Sequence, residues 1–144
     1  MSNDTSRPVA PLSGRVYGDI VYWGTVVGTI IAIFGTIYSF LSKDEYLSTS
    51  KTISGIWQQK SVETIWQETV GHLPQGHWYL NHLTEGSGIT EFGLAFGVFT
   101  VIPAMIASAV VLFKEKQNLF GVLAIIATLI TTVSMLGLLP LPIG

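Results

Sequence analysis

The stretch from Ile20 to Ser42, IVYWGTVVGTIIAIFGTIYSFLS, carries no charged residue between Asp19 and Lys43. A helix rises ~1.5 Å per residue and a hydrocarbon core is ~30 Å thick, so roughly 20 such residues suffice to cross it. Helices in soluble cores are seldom this long without a charge, and the stretch reads as a membrane span. Gly24, Gly28, Ala32, Gly35 and Ser39 recur at three- and four-residue spacing and fall on one face. Gly24 and Gly28 form a GxxxG pair, a spacing that lets a second helix approach to backbone contact. Val26, Ile30, Ile33 and Ile37 lie opposite, suited to lipid or to a bulkier neighbour.

The same logic recurs at residues 91–113, where Glu91 and Lys114 bracket an uncharged run from Phe92 to Phe113. Gly93 and Gly97 form a second GxxxG pair, and Ala104 and Ser108 continue a small-residue face. Pro103 removes the N–H that the Phe99 carbonyl would accept, which predicts a kink, with Thr100 available to help satisfy the freed group. Residues 114–118 are a tight polar turn that sets the next helix antiparallel and adjacent. The third run, 119–139, mixes Gly121 and Ala124 with Thr128, Thr131 and Thr132, and Pro140 is expected to stop it before a short tail, 140–144.

Composition supports lipid as the solvent for much of the chain. Of 144 residues, 49% are apolar and only 11% charged, against roughly 25% charged in an ordinary soluble domain. A formal charge of −2 gives no footprint for nucleic acid. The chain has no cysteine, which excludes disulfides, cysteine-ligated clusters, thioether-attached haem and thiol nucleophiles. The expected fold class is an all-α integral membrane protein with three transmembrane helices and a helical, membrane-surface connection between the first and second.

Residues 1–19 form a polar tail with Pro8 and Pro11. They lack the cationic start and apolar core of a cleavable signal, so an uncleaved anchor is expected. Gly14 and Gly18 suggest a bend along the membrane surface. Tyr17, Tyr22 and Trp23 cluster at one end of the first span, and Tyr38 and Tyr46 near the other, as aromatics do at headgroup level. Arg7, Arg15, Lys114 and Lys116 fall on one side, against Lys43, Lys51 and Lys60 on the other. That asymmetry places the N-terminus in the cytoplasm and residues 43–90 outside, in a multi-pass protein of the cell (inner) membrane.

Residues 43–90 run to about 50 positions, too many for a structureless loop. Within them Ser61 to Leu73 reads as a short amphipathic helix, with Val62, Ile65, Trp66, Val70 and Leu73 on one stripe. Ser61 is its N-cap, Glu63 sits in its first turn, and Gly71 with Pro74 ends it. Thr49 to Gln59 reads as an earlier short helix around Ile53, Ile56 and Trp57. Three tryptophans (Trp57, Trp66, Trp78) place the connection against a membrane surface or a partner.

His72, His77 and His82 are spaced five apart. Imidazole is the commonest side-chain metal ligand, with Glu68, Glu85 or Asn81 available to complete a site. Ligand pairs on one helix prefer i, i+4, however, and Pro74 and Gly76 break any helix that would align the three. The reading is partner or surface contact through Trp57, Trp66, His72, His77, Trp78 and His82, with plain solvated loop histidines as the alternative and no metal site. No histidine lies in a span, so the chain alone is not expected to hold a haem between transmembrane histidines. Asp19 and Glu91 are expected to begin their helices and complement the backbone dipole. No ionisable group falls inside the spans, which argues against a proton relay or ion-coupled transport. The hydroxyls of Thr128, Thr131, Thr132 and Ser134 either bond back to a carbonyl one turn earlier or line a polar path, and packing is the commoner use. There is no Ser/His/Asp arrangement, phosphate loop or H-E-x-x-H motif.

The second half, from FGVFTVIP through FKEKQNLFGVL to the third apolar run, resembles small three-span prokaryotic membrane proteins of unknown function. The likeness rests on a proline-containing span, a basic turn and an apolar helix. It implies a prokaryotic cell membrane and assigns no site residues.

The function expected from these features is a non-catalytic accessory subunit of a multi-subunit membrane complex, a respiratory or electron-transfer assembly in its narrower form. Partners would be other membrane subunits and the lipid bilayer. Helix packing is expected at Gly24, Gly28, Ala32, Gly35, Gly93, Gly97, Ala104 and Ser108. The chain would bind no cofactor by itself, with lipid or quinone held in crevices between helices. The alternatives are a homo-oligomeric small channel or transporter and a transient assembly factor.

Overall fold

A computed structural model describes residues 8–43 and 46–138. Among these residues there are six α-helices and no strand: α1 (Leu12–Leu41), α2 (Thr49–Trp57), α3 (Val62–Thr69), α4 (Gly86–Phe99), α5 (Val101–Lys114) and α6 (Asn118–Met135). A short 3₁₀ turn, Trp78–Asn81, lies between α3 and α4. Three helical runs are long and apolar enough to cross a membrane: Leu12–Leu41, Gly86–Lys114 and Asn118–Met135. Residues 1–7 and 139–144, with the expected stop at Pro140, lie outside the described residues.

Helix boundaries depart from expectation in physically informative ways. α1 begins at Leu12 and runs unbroken through Gly14 and Gly18, so the expected surface bend is absent and Asp19 sits well inside the helix. A run of good i→i−4 bonds outweighs the modest cost of two glycines. The second run starts at Gly86 and not at residue 91, which moves Glu91 from the helix start into its second turn. At its centre the helix is interrupted at Thr100, between α4 and α5. Pro103 is the cause, because its ring nitrogen cannot serve the Phe99 carbonyl. α6 ends at Met135 through Gly137, at φ +68°, with Leu138 N–H donating to the Val133 carbonyl at 3.3 Å. That 6→1 bond closes a Schellman turn before any proline is reached.

The chain divides into two compact units, one holding residues 24–98 and the other the described residues before and after that stretch. In the second of these, α5 and α6 pack on one another. Ala104 and Ala109 are fully buried there, and a methyl on Gly121 would meet the Phe113 ring at 2.9 Å. The hairpin turn uses Lys116 in the left-handed region (φ +59°), with Gln117 N–H donating to the Leu112 carbonyl at 2.9 Å. Thr128, Thr131 and Thr132 donate to carbonyls one turn earlier, at 2.7, 2.8 and 2.8 Å. Those hydroxyl protons are spent on the helix backbone, which is the packing use.

In the unit of residues 24–98 the small-residue faces of α1 and α4 meet. Gly28, Ala32, Gly35 and Ser39 are buried in α1, and Gly86 and Gly93 in α4. A Cβ on Gly93 would sit 2.5 Å from the Ala32 nitrogen and 2.6 Å from the Gly28 carbonyl oxygen. Only bare backbone fits such an approach, and it maximises dispersion contact between two helices. Thr36 and Thr90 add a hydroxyl contact of 3.3 Å across the pair. The two GxxxG faces therefore satisfy each other within one chain, where the sequence reading had left them open to outside neighbours.

The connection is built locally. Ser61 caps α3, its hydroxyl oxygen accepting the Thr64 N–H at 3.2 Å, as the sequence predicts. Gly71, at φ +91°, follows the helix end. α2 packs on α3, with Gly55 against Ile65, and Lys60 pairs with Glu68 at 2.6 Å.

Candidate functional site

Between the end of α1 and the start of α4, the connection folds around Tyr46. Its ring stacks on His82 with centroids 3.9 Å apart, and on Trp78 at 5.5 Å. Trp66 meets Trp78 edge-on at 5.4 Å. His72 donates from Nδ1 to the Leu73 carbonyl at 3.1 Å, and its Nε2 lies 3.2 Å from the Tyr46 hydroxyl oxygen. Glu85 closes the cluster, accepting the backbone N–H of Tyr46 and, at 2.9 Å, the Nδ1 proton of His82. Offset aromatic pairs contribute about 0.5–1.5 kcal/mol each beyond their area.

Four of the six contact residues expected from sequence are thus gathered: Trp66, His72, Trp78 and His82. Two are not. His77 turns to Tyr79, its Nδ1 lying 3.1 Å from the phenol oxygen. Trp57 stands clear of the cluster, 87% exposed. The sequence reading took Tyr46 as an interfacial aromatic and missed its central place, because residues 46 and 82 are joined only by the folded loop. Glu85 three residues after His82 is the one local signal for that pair. Among the described residues, no group of three His, Asp or Glu side chains is arranged to hold a metal ion.

Tyr79 is buried beside this cluster, and burial, with the charge of Glu91 as the lesser cause, raises its phenol pKa above the ordinary 10.0. The folded state therefore favours the neutral phenol. Its contribution is fully present below pH 10.0 and is lost as pH climbs through the raised value. Tyr79→Phe is expected to abolish that alkaline loss, giving up only the His77 hydrogen bond, about 0.5–1.5 kcal/mol. Unfolding of wild type and variant measured side by side through the alkaline range checks this; parallel curves would refute the burial effect.

Below the cluster a cleft of about 430 Å³ opens between α1, α4 and the connection. Its walls include Phe40, Ile53, Trp66 and Trp78, with Thr36, Thr90 and Glu91 among the polar residues. The volume falls in the range of small-molecule sites, roughly 300–1,000 Å³. A second cleft, of about 360 Å³, is lined by Ser42, Lys43, Ser48 and Ser50 near the start of α2.

The chain is similar to two proteins of Archaeoglobus fulgidus, each described as an uncharacterized protein. One is 32% identical over 111 residues, 76% of this chain and 72% of the relative. The other is 28% identical over 143 residues, 94% of each. No solved structure matches. A protein-family model matches residues 13–138, a stretch that takes in the α1–α4 contact, the aromatic cluster and the cleft. The chain belongs to that family.

Proposed function

We propose that the protein is a three-span integral membrane protein of a prokaryotic cell membrane, N-terminus cytoplasmic and residues 43–90 outside. It serves as a non-catalytic accessory subunit of a larger membrane assembly. The membrane setting is supported by large apolar side chains on the outer faces of all three long helices, among them Ile30, Phe34, Leu94, Leu123 and Ile130, which the rest of the chain leaves exposed. Water would not tolerate so much contiguous apolar surface.

The accessory role rests on one observation. Ile56, Trp57 and Val62, around the turn between α2 and α3, are the most exposed large apolar side chains among the described residues of the connection, at 62%, 87% and 72%. Large exposed aromatics rimmed by polar residues are the composition of a contact surface. With the small-residue ridges of α1 and α4 occupied by each other, this patch is the better candidate for partner contact.

Extraction in mild detergent followed by native mass spectrometry tests the reading. Unlike partners in fixed ratio, lost on Ile56→Ser with Trp57→Ser, are expected. An electron-transfer subunit among them would bear out the narrower expectation. Several copies of this chain alone would overturn the reading in favour of a homo-oligomer, and a solitary monomer would overturn both.

A further inference from the structure

Glu91 is half-buried in the wall of the cleft of about 430 Å³. The ion pairs of the described residues join Lys60 to Glu68 and His82 to Glu85; Glu91 has none among them. Withdrawing a carboxylate from water without a counter-charge is costly. The cleft beside it is shaped for one. Trp66 and Trp78, edge-on to each other at 77°, both line it, and Phe40 and Ile53 add apolar wall. Aromatic faces attract a cation, most strongly when it is desolvated.

We infer that this cleft binds an organic cation: a compact ammonium, phosphonium or similar ion carrying apolar substituents, its charge held by Glu91 and its substituents by Trp66, Trp78, Phe40 and Ile53. A hard metal ion is the wrong guest, since it asks for six or more oxygens with several carboxylates among them, and half of this wall is hydrocarbon. An anion would face Glu91 directly. A neutral quinone would find the Thr36 and Thr90 hydroxyl protons already given to the Ala32 and Gly86 carbonyls, and would leave the carboxylate uncompensated.

Tetraphenylphosphonium and tetraphenylborate are nearly identical in size and shape and opposite in charge, so together they separate charge recognition from partitioning into lipid. The full-length protein in nanodiscs of neutral lipid is titrated with each by equilibrium dialysis. Saturable binding of tetraphenylphosphonium is expected, about one per chain, with no saturable tetraphenylborate component. Glu91→Gln, nearly isosteric, is expected to weaken it at least about tenfold, the loss of one favourable charge contact. Trp78→Phe, which keeps an aromatic face, is expected to retain binding that Trp78→Leu loses. Equal affinity in wild type and Glu91→Gln overturns the inference. So does competition by tetraphenylborate, or displacement of the cation by a short-chain quinone that binds both proteins alike.

Discussion

Replacing Gly28 by leucine is expected to force α1 away from α4 and to cost about 3 kcal/mol or more, the upper end of what overpacking does in a tight core. A Cβ alone at this position would lie 2.6 Å from the Gly93 carbonyl oxygen and 2.9 Å from the Gly97 nitrogen. Both are backbone atoms, which cannot rotate out of the way as a side-chain tip can. Gly18→Leu in the same helix is the control, because a Cβ there meets nothing within 4 Å. It is expected to match wild type or to gain up to about 1 kcal/mol of helix propensity. Titration of the detergent-solubilised protein with a denaturing detergent, followed by circular dichroism, reads both. Coincident midpoints for the two variants would show that the α1–α4 contact does not hold the fold together.

The second large effect is expected at Tyr46. Alanine there removes the stacks on His82 and Trp78 and the hydroxyl contact with His72. Each pair or bond contributes about 0.5–1.5 kcal/mol, so a loss of about 2–3 kcal/mol, confined to the connection, is expected. The backbone N–H still reaches Glu85, and the three long helices keep their ellipticity. Tyr46→Phe keeps both stacks and gives up one hydrogen bond, for a loss of about 1 kcal/mol. Limited trypsin digestion at Lys51 and Lys60, with near-ultraviolet circular dichroism, separates the variants. Equal digestion of Tyr46→Ala and wild type would remove Tyr46 from the centre of the cluster.

What the chain's own pattern disclosed is local. The apolar runs mark the three long helices, the Ser61 cap and Gly71 bracket α3, and Pro103 announces the break at Thr100. The glycine spacing marks helix faces that pack without saying against what. That Gly28 finds Gly93 is a matter of remote partners, and periodicity within one helix is silent about it. The early start of α4 was hidden for a related reason. Glycines at 86 and 88 are poor helix formers by propensity, yet both are in α4, and only glycine fits there because the Ser39 backbone and the His82 carbonyl lie where a Cβ would be. Two helix ends were placed within two residues, but Gln59 and Lys116, not glycine, take the left-handed conformation beyond them, which nothing in the sequence announces. The aromatic cluster was half legible: its histidines and tryptophans were visible as a group, its organising tyrosine was not.

The union of α1 with α4 joins residues as far apart as Thr36 and Thr90, 54 positions along the chain, whereas α5 and α6 are joined by a three-residue turn. A translating ribosome would therefore deliver the first helix well before its mate exists, while the last two can zip together as they emerge. In the proposed bilayer, the glycine-lined flank of α1 must spend that interval covered by acyl chains or by the insertion machinery. Biogenesis should accordingly be slowest at this late pairing, and lengthening the segment between the two helices should delay it only mildly, since closure entropy grows with the logarithm of length.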